Sequence, residues 1–216
     1  MRRTLLPLLA LTLAGPAQAQ SPHWGFGLVL TNPTGSFSQT KYPPYYDSAL
    51  GRTIPTQTEG YDMGVGGYFN MSFPLDRNAA IRLTFGGSSE DGSNTAPGEQ
   101  RINLRHSTFS IGTDLQLFLQ GGALRHSGTY LFAGVAADFE RFDRGYGSLD
   151  YYYDYYNDAI STERKSRMAG NVGFGHSFGQ SLKFNLEVSY HATLTGKKDT
   201  DPPASDYVRL GFGVVF

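Results

Sequence analysis

Period two governs every apolar run after residue 20, and no helical repeat competes with it. Trp24, Phe26, Leu28 and Leu30 alternate with Gly25, Gly27 and Val29. The same alternation returns at Met63, Val65, Phe69, Met71 and Phe73, then at Ile81, Leu83 and Phe85. Phe109, Ile111, Leu115, Leu117 and Leu119 carry it in a fourth segment, and Leu131, Ala133, Val135, Ala137 and Phe139 in a fifth. It continues through Met168, Val172, Phe174 and Phe178, and then through Phe184, Leu186, Val188, Tyr190 and Ala192. The last segment is the most regular, with Val208, Leu210, Phe212, Val214 and Phe216 in one row and Tyr207, Arg209, Gly211, Gly213 and Val215 in the other. Successive strand side chains point to opposite faces, so the chain reads as eight strands, each with two unlike faces. The fifth is the least regular, because Tyr130 and Phe132 fall in its polar row.

The connections have a rhythm of their own. After the second, fourth and sixth segments they are short: a turn at 74–78, a Gly-Gly turn, and Gly179-Gln180-Ser181. After the first, third, fifth and seventh they are long and polar, at about 32–60, 88–99, 143–163 and 194–205. Ahead of all this, residues 1–19 read as a signal peptide: Arg2 and Arg3, an apolar core from Leu5 to Leu13, a Gly15-Pro16 break, and an Ala17-Gln18-Ala19 cleavage site. That apolar run is shorter than the roughly 20 residues a spanning helix needs. Residues 20–216 are then expected to form one domain.

Alternation alone does not say which face is outside. Three features choose an apolar exterior. The polar row is rich in glycine (Gly64, Gly66, Gly112, Gly173, Gly175, Gly211, Gly213) and poor in lysine, which suits the narrow interior of an eight-stranded barrel. The short and long connections alternate as in outer-membrane barrels, with short periplasmic turns and long external loops. Aromatic residues also gather by depth. Trp24, Phe73, Tyr130, Phe178, Phe184 and Phe216 lie near the short turns and the termini, and Phe109, Phe139 and Tyr190 toward the other end, as two interfacial girdles would. The expected fold is an all-β, eight-stranded antiparallel up-and-down transmembrane β-barrel.

The closing strand, with its terminal Phe216 behind Val214, Phe212 and Leu210 and with Tyr207 at its start, resembles the last strand of bacterial outer-membrane barrels. Across its whole mature length the chain resembles the small barrels of the OmpA, OmpX and OmpW kind. The resemblance implies location in the cell outer membrane, contact with outer-membrane lipids, and recognition of the C-terminal strand by the barrel-assembly machinery. Such families include adhesion and resistance proteins, narrow channels for small apolar compounds and lipid-modifying enzymes, so the fold leaves function open. The lipid A deacylases among them carry a His-x-Ser pattern that this chain lacks.

Inside the barrel the polar rows place Arg82, Asp114, Arg167, Lys183, Glu187 and Arg209. Charges there need partners, and strand adjacency predicts Arg82 with Asp114 and Glu187 with Arg209, a plug of ion pairs across the lumen. A gated ion path is the sharper alternative. Glu187, Ser189 and His191 share one strand face, but same-face neighbours lie about 7 Å apart, too far for a direct Ser–His hydrogen bond. His106-Ser107 and His176-Ser177 are adjacent pairs and so face opposite ways. No catalytic residues are assigned. The five histidines show no metal-ligand spacing and the chain has no cysteine, so neither a metal nor a cofactor is expected.

The third long connection interleaves Tyr146, Tyr151, Tyr152, Tyr153, Tyr155 and Tyr156 with Asp143, Asp150, Asp154 and Asp158. Tyrosine gives broad contact at low entropic cost, so this loop is the expected site for an extracellular ligand. The competing reading stacks these rings across a hairpin standing above the membrane. The aspartates lack the spacing of a known calcium loop. A net charge of −1 carries no footprint for nucleic acid. The expected function is therefore a non-enzymatic outer-membrane protein whose surface loops serve interaction or envelope integrity. A narrow channel for small apolar compounds and a lipid A-modifying hydrolase are the alternatives.

Overall fold

The computed structural model describes residues 21–48, 51–95, 102–146, 159–180, 182–195 and 204–216. Residues 1–19, expected as a signal peptide, lie outside the described residues, as do Tyr151, Tyr152, Tyr153, Tyr155 and Tyr156.

Eight strands form the wall: β1 His23–Pro33, β2 Gly64–Pro74, β3 Ala79–Thr95, β4 Ile102–Phe118, β5 Gly128–Tyr146, β6 Ala159–Phe178, β7 Lys183–Thr193 and β8 Tyr207–Val215. Each pairs antiparallel with its sequence neighbours. The first pairs with the last through the register Phe26↔Val214, Leu28↔Phe212 and Leu30↔Leu210, which closes the cylinder. Where the eight strands pair all round, closure leaves no open edge, the condition hydrocarbon sets on a sheet. Phe216 still contributes, exchanging backbone hydrogen bonds with Trp24 at 2.7 and 3.2 Å.

The polarity of the wall is inverted relative to a water-soluble barrel. Leu28 is 71% exposed and Val65 65%, while Arg82, Asp114 and Asp138 are each under 5%. A continuous exposed apolar surface of this kind is a membrane-contact surface. Its girdles are largely as expected: Trp24, Phe73, Phe178 and Phe216 are exposed near the short turns, and Phe109, Phe139 and Tyr190 at the other level. Tyr130 is the exception. It is fully buried and points into the lumen, in keeping with its place in the polar row of β5.

The strands run further than the alternation reveals. The stretches 88–99 and 143–163 are expected to be loops, yet β3 continues to Thr95, β4 starts at Ile102, β5 reaches Tyr146 and β6 starts at Ala159. Past Phe109 and Phe139 the outer face is polar and the inner face is mixed, with Leu104 and Phe142 among charged groups, so the two-faced signal vanishes while the ladder continues, for example at Asp91↔Arg105 and Thr162↔Asp143. At about 3.3 Å per residue, the 17 to 20 residues of β3–β6 far exceed the roughly 9–11 needed to span the bilayer.

The first long connection is also ordered into small elements. A single helical turn, Gly35–Ser38, is followed by the short strands Thr40–Tyr42, Tyr45–Asp47, Arg52–Ile54 and Gln57–Tyr61. The last of these pairs with the upper part of β3, and Thr40–Tyr42 pairs with it in turn. Beneath the barrel, the β4–β5 connection folds as a 3₁₀ turn, Ala123–Arg125, whose Ala123 N–H donates to the Arg77 carbonyl of the β2–β3 turn at 2.9 Å.

Candidate functional site: a filled lumen and a raised wall

Arg82 is the centre of the lumen. Its Nε and Nη2 donate to Asp114 Oδ2 at 3.0 and 2.9 Å across the β3–β4 pair, as adjacency predicts. Its Nη1 crosses the lumen to Glu187 Oε1 on β7, and its guanidinium carbon lies 4.6 Å from the centre of the Phe132 ring. Glu187 therefore does not pair with Arg209, which correctly faces inward but stands level with Ser189 rather than with Glu187. Two walls of a narrow cylinder are close enough that Arg82 reaches the carboxylate opposite as well as the one next door. Tyr130 completes the cluster, its hydroxyl 2.6 Å from Glu187 Oε1 and 2.7 Å from Asn185 Oδ1.

The glycines of the polar row make room for rings. A Cβ on Gly27 would stand 2.8 Å from the Tyr68 ring, and one on Gly173 would stand 2.7 Å from the Phe132 ring. What remains empty among Tyr68, Asn70, Thr84, Asn171, Ser189 and Arg209 is a void of about 30 Å³, room for one or two waters.

A second network, of which the sequence indicated only Arg167 as a lumen charge, fills the upper lumen. His106 Nδ1 lies 2.7 Å from Glu90 Oε2, and Thr31 Oγ1 donates to Glu90 Oε1 at 2.6 Å. Arg167 Nε reaches Glu140 Oε2 at 3.2 Å, and Ser205 donates to the other oxygen of Glu140. Lower down, His191 Nε2 meets Asp138 Oδ2 at 2.7 Å, and its ring stacks on Tyr207 at 4.5 Å. Tyr207 thus faces inward, whereas Leu210, Phe212 and Phe216 of the terminal motif face lipid and Val214 is half-buried in that same row. The apolar rows of β5 and β7 set the inward parity of Asp138 and His191, but Glu90, His106 and Glu140 lie in stretches with no apolar row to set theirs.

Both mouths are closed by side chains. Above, the Gly35–Ser38 turn inserts Phe37, fully buried, against Tyr61 at 4.7 Å and His106 at 4.9 Å, with Leu104, Phe142 and Tyr207 completing the cluster. Below, His126 and Ala123 from the β4–β5 turn pack under Phe118 and Tyr130. Burial, with the positive charge of His23 and then Arg82 nearby, holds the His126 imidazole down at about 3. Lys183 does not join the lumen network. Its ammonium reaches the Arg125 carbonyl at this lower rim.

The Glu187, Ser189 and His191 face is divided in the same way: Glu187 serves Arg82, Ser189 borders the void, and His191 serves Asp138. Glu90, His106 and Ser205 do line up in the order of a hydrolytic triad, with Ser205 Oγ 3.5 Å from His106 Nε2. Ser205, however, gives its proton to Glu140 and is 2% exposed beneath the Phe37 cluster. The described geometry shows no cleft that would bring an ester to it.

The second surface is the raised wall. Above Phe109 and Phe139 its outer face carries Arg105 paired with Asp91 at 2.9 Å, and Arg141 paired with Asp143 at 2.8 Å. Thr162 donates to Asp143 at 2.6 Å, so Asp143 is occupied by strand neighbours. No group of three acidic or histidine side chains able to hold a metal occurs among the described residues. The backbone of Tyr146 ends β5 opposite Ile102.

No protein-family model and no curated protein matches the sequence. Solved structures do resemble it. Ail, the attachment invasion locus protein of Yersinia pestis, solved in complex with the heparin analogue sucrose octasulfate, aligns over 90% of this chain and 97% of its own at 10% identity and a TM-score of 0.51. The outer membrane protein OprG of Pseudomonas aeruginosa aligns over 90% of this chain and 95% of its own at 13% identity and a TM-score of 0.53. At such identities the likeness is one of fold.

Proposed function

We propose that this eight-stranded barrel of the cell outer membrane is a non-enzymatic surface protein. Its working parts are the raised β3–β6 wall and the tyrosine-rich tip that β5 and β6 carry. The observation behind this reading is the filled lumen: among the described residues, Phe37 and its neighbours above, the Arg82 cluster in the middle and His126 below leave small voids, of about 30 Å³ beside Arg82 and about 20 Å³ beside Tyr207. A channel would require that filling to move, and a hydrolase would require Ser205 to be uncovered. Attachment to an extracellular surface is the form this takes, supported by the extended wall and in line with the name of Ail, whose fold it shares. The C-terminal row of Leu210, Phe212, Val214 and Phe216 serves recognition during assembly, and the outward apolar band serves contact with lipid.

The test is surface display in an outer-membrane host lacking its own adhesins. Cells carrying the intact chain should be retained on immobilised matrix proteins or glycosaminoglycans. Cells carrying Tyr-to-Ser changes at Tyr151, Tyr152, Tyr153, Tyr155 and Tyr156 should not be. Retention unaffected by those changes would remove the tip from the proposal. Steady conductance in a planar bilayer would favour the channel, and a change in lipid A mass on expression would favour the hydrolase.

A further inference from the structure

Four outward residues lie side by side in one cross-strand row over the long strands. Ser89 on β3 is opposite Ser107 on β4, Ser107 is opposite Arg141 on β5, and Arg141 is opposite Arg164 on β6. The two serine hydroxyls are 3.3 Å apart, and both arginines are exposed. Two like charges directly opposite on a sheet destabilise it. Asp143 holds the Nε side of Arg141, but the Arg164 guanidinium has no carboxylate or hydrogen-bond partner among the described residues. Beside the pair is a surface hollow of about 290 Å³ bordered by Phe139, Arg141, Arg164 and Ser166. Glu140 also borders it, with its carboxylate engaged inward by Arg167 and Ser205.

The level of this row identifies what could neutralise it. Directly below, Phe109 faces Phe139 with ring centres 6.3 Å apart, and such outward rings mark the bilayer interface. The next outward position is about 7 Å further along the tilted strand, on the headgroup side of those rings. Two guanidinium forks and two hydroxyls in line are a phosphate-binding set.

We infer that the row Ser89, Ser107, Arg141 and Arg164 binds the phosphate of an anionic lipid in the outer leaflet, a phosphorylated glycolipid of the lipid A type, whose acyl chains lie along the Phe109 and Phe139 face. This site depends on the barrel standing in the bilayer and is independent of the attachment role proposed above.

The experiment measures binding of bis-phosphorylated lipid A to the full mature barrel in phosphatidylcholine bilayers, with correct insertion checked by heat-modifiable mobility. Losing charge-assisted contacts from both arginines should weaken lipid A binding at least about tenfold in Arg141→Gln/Arg164→Gln. Arg77→Gln, at the opposite rim, should bind as the parent does. If the double variant fails to insert, Arg164→Gln alone carries the comparison, since its side chain supports no neighbour among the described residues. Unchanged affinity in the variant, or equal binding of dephosphorylated lipid A, would overturn the inference. Binding of inorganic phosphate or a sulfated oligosaccharide to the same row as tightly as lipid A would reassign it to a soluble anion and likewise overturn the lipid as its ligand.

Discussion

The ring of Tyr130 fills the space a side chain at position 175 would need: a Cβ on Gly175 would stand 2.5 Å from its Cζ and 2.6 Å from its hydroxyl oxygen. That packing lets the hydroxyl reach Glu187 and Asn185. Gly175→Ala should displace the ring and destabilise the folded barrel by about 1–3 kcal/mol. In a Tyr130→Ala background the same change should cost much less, because the clash is gone. Urea unfolding in bilayers, run as a double-mutant cycle, measures the difference.

Arg82 serves two carboxylates at once, Asp114 beside it and Glu187 opposite. Arg82→Met keeps much of the volume and strands both acids in a buried site, so a loss of about 3–5 kcal/mol is expected. The triple change Arg82→Met, Asp114→Asn and Glu187→Gln should recover much of that loss. Equal unfolding midpoints for the single variant and the parent would contradict the assignment of this cluster as the structural centre of the lumen.

His126 gives the lower plug a pH dependence. Its folded value of about 3 lies below the ordinary 6.5, so at acidic pH the unfolded chain binds a proton that the folded one refuses. The stability this site supports is complete above about pH 6.5. It falls by about 1.4 kcal/mol per pH unit on the way down to about pH 3. His126 has a left-handed backbone with φ 43°, a conformation asparagine tolerates. His126→Asn should therefore fold and flatten the pH profile of the unfolding midpoint between pH 6.5 and 4.

Phe37 closes the upper mouth from a single helical turn. Phe37→Ala should destabilise that plug by about 3–5 kcal/mol if the cluster does not collapse and should expose the lumen beneath it. Because the chain has no cysteine, a single Thr108→Cys at a 6% exposed lumen position gives a clean reporter. It should resist a hydrophilic maleimide in the parent and react in the Phe37→Ala background. Rapid labelling in both would mean that the mouth is already open.

What the sequence could show of this molecule follows from where solvent differs on two sides. Between the girdles lipid faces one side of each strand and packed polar groups the other, so rows such as Leu28, Leu30 and Phe26 declare the wall and its closure. Above the girdles water bathes the outer face, and a polar network interleaved with the Phe37 cluster fills the inner one. There the continuation of β3 through Asp91 and of β6 through Thr162 leaves no apolar row to read. Contacts between adjacent strands, such as Arg82 with Asp114, follow from register alone. The span from Arg82 to Glu187 does not, because it depends on the bore of the cylinder, and neighbour logic gave Glu187 the wrong arginine. Phe37, Tyr61 and His126 enter the lumen from connections, whose path no periodicity encodes.

The four long strands are consecutive in the cylinder, and the four short ones complete it. Among the described residues the wall strands are accordingly uneven in height when viewed in the plane of the membrane. Anything diffusing laterally toward β3–β6 meets a palisade, whereas the remaining wall strands themselves are only 9 to 11 residues long. A neighbouring membrane protein or a bulky polysaccharide will thus approach in a preferred orientation, and crowding at the cell surface will tend to align these barrels rather than leave them free to spin.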